Sequence, residues 1–120
     1  MATVNQGERA FTATAAALSE GQRVKIDAAG LMLVAGAAEA SVGVLTEDVV
    51  ASGRGNVALW GGRSWKVVTS GAVAAGARLQ LTAAGAVDDT AANSSLIAFE
   101  AASASGSLIE VGRTDQDFIV

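Results

Sequence analysis

The sequence predicts a mainly β fold, a small barrel or sandwich, and three observations predict it. Short runs alternate polar and apolar residues, the period of half-buried strands. Gly-containing turn signals separate those runs. One strand-turn-strand motif occurs twice, and a repeat of this kind constrains both copies at once.

Residues 11–30, FTATAAALSEGQRVKIDAAG, align without a gap with residues 66–85, KVVTSGAVAAGARLQLTAAG, at an offset of 55. Identities fall at Thr14/Thr69, Ala17/Ala72, Gly21/Gly76, Arg23/Arg78, Ala28/Ala83, Ala29/Ala84 and Gly30/Gly85. The apolar pairs Leu18/Val73, Val24/Leu79 and Ile26/Leu81 stay in register. At the same offset SVGVL (41–45) meets LIAFE (96–100), and after a short deletion GNVALW (55–60) meets GSLIEV (106–111).

Each element follows in order. Residues 1–10 are polar, lie outside the repeat and read as an N-terminal arm. ATAAALSE looks helical by Ala propensity alone, but its partner VTSGAVAA carries Ser-Gly inside. One motif should have one structure, so both are expected to be extended, with a turn before Gly21 and Gly76. RVKID and RLQLT read as strands, and Ala-Ala-Gly after each as a tight turn. One short helical turn each is expected within 34–40 and 88–95. VALW (57–60) and SWKVV (64–68) flank Gly61-Gly62-Arg63, which signals a hairpin with Trp60 opposite Trp65. LIEV (108–111) is the last strand. Residues 11–112 thus form one β domain with pseudo-repeats 11–60 and 66–112. Residues 113–120 form a tail that ends apolar in Phe118-Ile119-Val120.

Composition narrows the function. Of 120 residues 51% are apolar, but 27 are Ala, so the core is thin. A thin core is often completed by self-association or a partner. There is no Cys and no His. Thiolate and imidazole metal sites, and Ser-His-Asp or Cys-His nucleophiles, are therefore excluded. The net charge is −4, and the eight basic residues are scattered singly. No basic stripe offers itself to phosphates, so nucleic-acid binding is not expected. Neither a signal peptide nor an 18-residue apolar span is read, so no membrane is expected as a partner.

Motifs that suggest chemistry have plainer readings. Glu47-Asp48 and Asp88-Asp89 are acid pairs of the kind glycosidases use, but read as solvated loop residues. Gly53-Arg54-Gly55-Asn56 lacks the Lys-Ser/Thr of a phosphate loop and reads as a turn. Asp115-x-Asp117 lacks the glycine and distal Glu of a calcium loop. Arg23 and Arg78 read as outward-facing strand charges, with an interface as the alternative. No catalytic residue, cofactor or metal is assigned, and the chain is not expected to be an enzyme.

The stretch TSGAVAAGARLQL (69–81), the ending ASGSLIEV (104–111) and the earlier LSEGQRVKIDAAGLMLVAG with VGVLTEDV resemble the capsid-decoration, or cement, proteins of tailed bacteriophages. Those proteins are likewise short, acidic and rich in Ala, Gly and Val. The resemblance spans roughly residues 4–112 and leaves DQDFIV outside it. It implies a structural protein on the outer surface of the virion, made in the host cytoplasm. It implies binding to the major capsid protein, bridging of capsid subunits, and stabilisation of the head against packaged DNA. It also implies a homo-oligomer, a trimer first and a dimer second. Candidate capsid or oligomer contacts are Thr3, Val4, Asn5 and Arg9 on the arm, Trp60, Arg63 and Trp65 on the hairpin, and Phe118, Ile119 and Val120 on the tail. A surface module binding a carbohydrate or receptor through the Trp pair is the alternative.

Overall fold

A computed structural model describes residues 7–60, 64–92 and 94–113. The fold is mainly β, with strands β1 Glu8–Thr12, β2 Arg23–Ile26, β3 Met32–Val34, β4 Gly43–Leu45, β5 Arg54–Leu59, β6 Trp65–Val68, β7 Gln80–Leu81, β8 Val87–Asp88, β9 Leu96–Ala98 and β10 Leu108–Arg113. The first five form one antiparallel sheet in the order β1-β5-β4-β2-β3. The second five repeat that order in two pieces, β6-β10-β9 and β7-β8, joined by a single bridge between Arg78 and Ile97. The two edges of the first sheet approach at one parallel bridge, Ala13–Met32, and the corresponding bridge in the second copy is Thr69–Val87. Neither closes into a barrel ladder.

The duplication is therefore structural, but its spacing is not constant. Ile26 pairs with Met32 as Leu81 pairs with Val87, which keeps the offset of 55 through β2–β3 and β7–β8. Opposite Arg23 stands Val44, and opposite Arg78 stands Ile97. β4 thus matches β9 two residues earlier than the expected pairing of SVGVL with LIAFE. Leu45 pairs with Val57 and Ala98 with Val111, which makes Val57 and Val111 counterparts. The expected match of GNVALW to GSLIEV is three residues out. Loops absorbed small deletions, while each strand kept its inward-facing side chains, because a slip by one residue would turn them to solvent.

Each copy has its own core. The first buries Ala13, Leu18, Val24, Met32, Leu45, Val49 and Val57. The second buries the counterparts Val73, Leu79, Val87, Ala98, Ala102 and Val111, with Val67, Leu96 and Ile109. Val44 and Ala58 lie on the outer face of the first sheet, yet belong to the second cluster together with Trp65. The two copies are thus stacked, and the back of the first sheet completes the core of the second.

Four local expectations are corrected. The 57–60/64–68 hairpin does not form: β5 is flanked by β1 and β4, so no edge is left for β6, which pairs with β10. In place of the expected helical turns at 34–40 and 88–95 stand a tight turn and, among the described residues of the second stretch, the end of β8 followed by bends. In the first, Glu39 N–H donates to Gly36 O at 3.2 Å, while Ala38 sits at φ 57°. The helical piece among the described residues is a 3-10 turn at Ala83–Gly85, where Ala-Ala-Gly read as a tight turn. Glu8, Arg9 and Ala10 are not arm but β1, bonded in ladder to β5, and Arg113 ends β10 and does not begin a tail.

Candidate functional site

The joint between the two copies concentrates the unusual side chains. Trp60 and Trp65 meet there edge to face, with ring centroids 4.5 Å apart and planes at 80°. They come together across two sheets, not across a hairpin. Trp65 is 3% exposed and its Nε1–H donates to Leu59 O at 3.1 Å. Trp60 is half-buried, and its Nε1–H donates to Ser41 O and Oγ, both at 3.0 Å. Edge-to-face pairs with both N–H groups satisfied favour a packing role.

Arg23 overturns its expected outward orientation. The side chain is fully buried. Its Nε–H donates to Ala86 O at 3.3 Å, and Nη1–H to Glu39 O at 3.3 Å. Its Nη2–H groups reach Gly36 O at 3.2 Å, Thr82 O at 2.8 Å and Ala86 O at 3.2 Å. A planar five-donor fork suits such a ring of carbonyls. Desolvation pulls its pKa down to about 10, with Glu39 pulling the other way, so the group stays charged at neutral pH. Two of the carbonyls belong to the first copy and two to the second. Arg23 is therefore a clamp across the joint.

The first-copy side of the clamp is itself braced. Glu39 Oε1 accepts Gly36 N–H at 2.6 Å, and Oε2 accepts Lys25 Nζ at 2.7 Å. These bonds, the lysine first, hold the Glu39 carboxyl below its ordinary pKa. Further contacts cross the joint. Gly21 O accepts Val68 N–H at 2.9 Å, Gln22 Nε2–H donates to Ala84 O at 3.1 Å, and Ala38 N–H donates to Leu81 O at 3.1 Å. A cleft of about 430 Å³ runs beside this joint, lined by Glu20, Val44, Thr46, Ala58, Trp65 and Glu110 among others.

Arg78, the counterpart of Arg23, is exposed, and its Nη2–H donates to Ser94 O at 3.0 Å. Arg9 lies exposed on the edge strand β1, its guanidinium carbon 4.8 Å from the centre of the Phe11 ring. Thr3, Val4, Asn5, Arg63, Phe118, Ile119 and Val120 lie outside the described residues, as does Asp115-x-Asp117. Sequence reasoning missed the exposed Phe99, at 54%, and Val50, at 75%. The repeated Arg was the one signal that could have pointed to the clamp.

The acid pairs hold backbone. Glu47 accepts Asn56 N–H at 2.9 Å and Asp48 accepts Glu20 N–H at 2.8 Å. Asp88 accepts Thr90 N–H at 3.1 Å and Asp89 accepts Ala74 N–H at 3.0 Å. Gly53 closes a turn by donating to Val50 O at 2.8 Å, and Arg54 and Gly55 begin β5. A Cβ on Gly55 would strike the Val49 side chain, so packing demands glycine there.

No protein-family model matches the chain, and no curated protein does. Among solved structures, it is similar to the N base of head fiber gp8.5 of bacteriophage phi29. The TM-score is 0.75 at 17% identity, over 89% of this chain and 94% of that one. The likeness extends across both repeats and shows a shared fold.

Proposed function

We propose that this chain is a structural virion protein that binds the outer surface of a phage capsid and bridges its major capsid subunits. The observation that carries the reading is the fold shared with a phi29 head-fiber base over nearly the full length of both chains. The resemblance of residues 69–81 and 104–111 to stretches of cement proteins supports it as well. The protein acts by binding, without catalysis or cofactor, and stabilises the head by favouring the assembled lattice. It works as a homo-oligomer, a trimer in the first instance, so that several weak contacts add through effective concentration. Residues 1–6 and 114–120 are its proposed reach to neighbouring subunits.

Cosedimentation with purified heads of the parent particle tests this. Stoichiometric pelleting, with heads that withstand heat or chelation better when decorated, is expected. A chain that stays in the supernatant with intact heads would overturn it. Deleting residues 1–6 should weaken pelleting and leave the domain folded. Deleting 1–10 removes three of the five residues of β1 and is expected to unfold the domain.

A further inference from the structure

Strand β6 is paired on one side and borders the cleft beside the joint on the other. Its paired side is fixed by Thr69 N–H, which donates to Ser107 O at 2.8 Å. Backbone groups alternate along an antiparallel ladder, so Val67 and Trp65 also bond β10. Val68, Lys66 and Ser64 therefore turn their N–H and C=O groups the other way. Val68 N–H meets Gly21 O at 2.9 Å. Past that bond, the outward N–H and C=O of Lys66 and Ser64 take no partner among the described residues. Ser64, Trp65 and Lys66 form one wall of the cleft. A strand edge is commonly guarded by a charge, often a lysine. Here Lys66 Nζ reaches across β10 to Glu100 Oε1 at 3.3 Å, so the guard is drawn off the edge.

We propose that this cleft takes an extended segment of the capsid subunit, added as a strand to β6. Gly21 fills the first place on the edge, and the entering strand continues from there along Lys66 and Ser64. Polypeptide backbone is what matches N–H and C=O groups at strand spacing, so the occupant is a peptide segment. Charge selects its side chains. The carboxylates of Glu20 and Glu110 border the cleft, and Val44, Ala58 and Trp65 line it with apolar surface. Glu110 accepts Ser64 Oγ–H at 2.5 Å, and the Glu20 carboxylate has no partner among the described residues. The cation among the lining residues, Lys66, is matched by Glu100. The cleft thus suits a segment that carries a basic residue beside an apolar one.

The proposal rests on the capsid-binding reading above and adds where the contact is made. Purified heads of the parent particle are the probe, titrated with the full chain and read by cosedimentation. Lys66→Pro and Lys66→Ala both lose the ion pair to Glu100, but proline alone removes the outward N–H. That N–H is no part of the β6–β10 ladder, so the strand tolerates its loss, and circular dichroism checks the fold. Lys66→Pro should bind about tenfold more weakly than Lys66→Ala, the worth of one hydrogen bond. Glu20→Lys should weaken binding several-fold. Exchange of the Lys66 amide in the wild-type chain needs no variant. It should be fast in the free chain and slowed on heads, with the laddered Val67 amide protected in both. Equal binding by the proline and alanine variants would overturn the added strand and leave capsid binding standing. So would a Lys66 amide that exchanges as fast on heads as off them. Glu20→Lys binding at wild-type strength would overturn the selection of a basic residue. A Lys66 amide protected already in the free chain, and released by deleting residues 114–120, would make the chain's own tail the occupant and overturn the proposal. A wild type that does not pellet would overturn it together with the reading it rests on.

Discussion

Arg23→Ala tests whether the clamp holds the two repeats together. The side chain makes five hydrogen bonds to four carbonyls, and no part of it is exposed. Bonds to a charged donor contribute ~1.5–3 kcal/mol each, but the five share three nitrogens. The guanidinium has also lost its hydration, which costs several kcal/mol. Alanine leaves a cavity in the joint and strands the Thr82 and Glu39 carbonyls without their Arg23 donors. The balance is a loss of about 3–5 kcal/mol, the range for breaking a buried charged contact. With a urea slope of ~1–2 kcal/mol/M for a chain of this size, the midpoint should fall by about 2 M. Arg78→Ala is the matched control, the same residue at the counterpart strand position but exposed. In the monomer it should lose less than ~1 kcal/mol. Arg23→Met removes the desolvation cost as well as the bonds and should fall between the two. Equal losses at positions 23 and 78, or a loss below ~1 kcal/mol at 23, would show that the carbonyl cage does not bear the joint.

Other expectations can be checked on the same purified protein. Glu39 and Glu100 have folded pKa values below their ordinary ones, Glu39 through Lys25 and Gly36 N–H, Glu100 through Glu110 N–H and Lys66. A lowered acid pKa gives stability that is present above the unfolded value and lost as pH falls through the folded one. With no His in the chain, the urea midpoint should be flat between about pH 6 and 8. It should drop as pH falls below the ordinary carboxylate range, and less steeply in Glu39→Gln. Trp65→Ala should cost about 3–5 kcal/mol by denaturant titration, as for a fully packed aromatic, and Trp60→Ala less. Gly43→Ala sets a methyl against the Ala58 carbonyl across the β4–β5 ladder. It should cost over ~2 kcal/mol, measured as a drop in midpoint; a neutral result would mean that the two strands move apart easily.

Much of the fold was legible where the signal was local. The alternation in RVKID, the Gly21/Gly76 turns and the final LIEV each point to a strand or turn without reference to the rest of the chain. The duplication extended this by forcing the Ala-rich 13–20 segment to share the extended structure of its Ser-Gly partner. Pairing was less legible, because which edges meet depends on distant strands. The Gly61–Arg63 signal suggested a hairpin, but β5 is enclosed by β1, from before it, and β4. Arg23 was unreadable for a related reason. A strand Arg is usually solvated, and half of the carbonyl cage around this one comes from a turn about 60 residues away, Thr82 O lying 59 positions on. The same residue at position 78 meets the ordinary expectation, and the difference lies wholly in what is stacked on it.

The edge-to-face tryptophans make the joint optically visible. They are the only two in the chain, and their ring centres are 4.5 Å apart. At that separation the indole transitions couple, so the pair should produce a bisignate circular-dichroism couplet absent from either ring alone. The signal reports the docking of one repeat on the other, since Trp60 follows β5 of the first copy and Trp65 opens β6 of the second. If the repeats come apart while their separate sheets persist, the couplet should vanish first and the backbone signal later. The same couplet would then register, without any label, whether binding to a capsid lattice opens this molecule or leaves it closed.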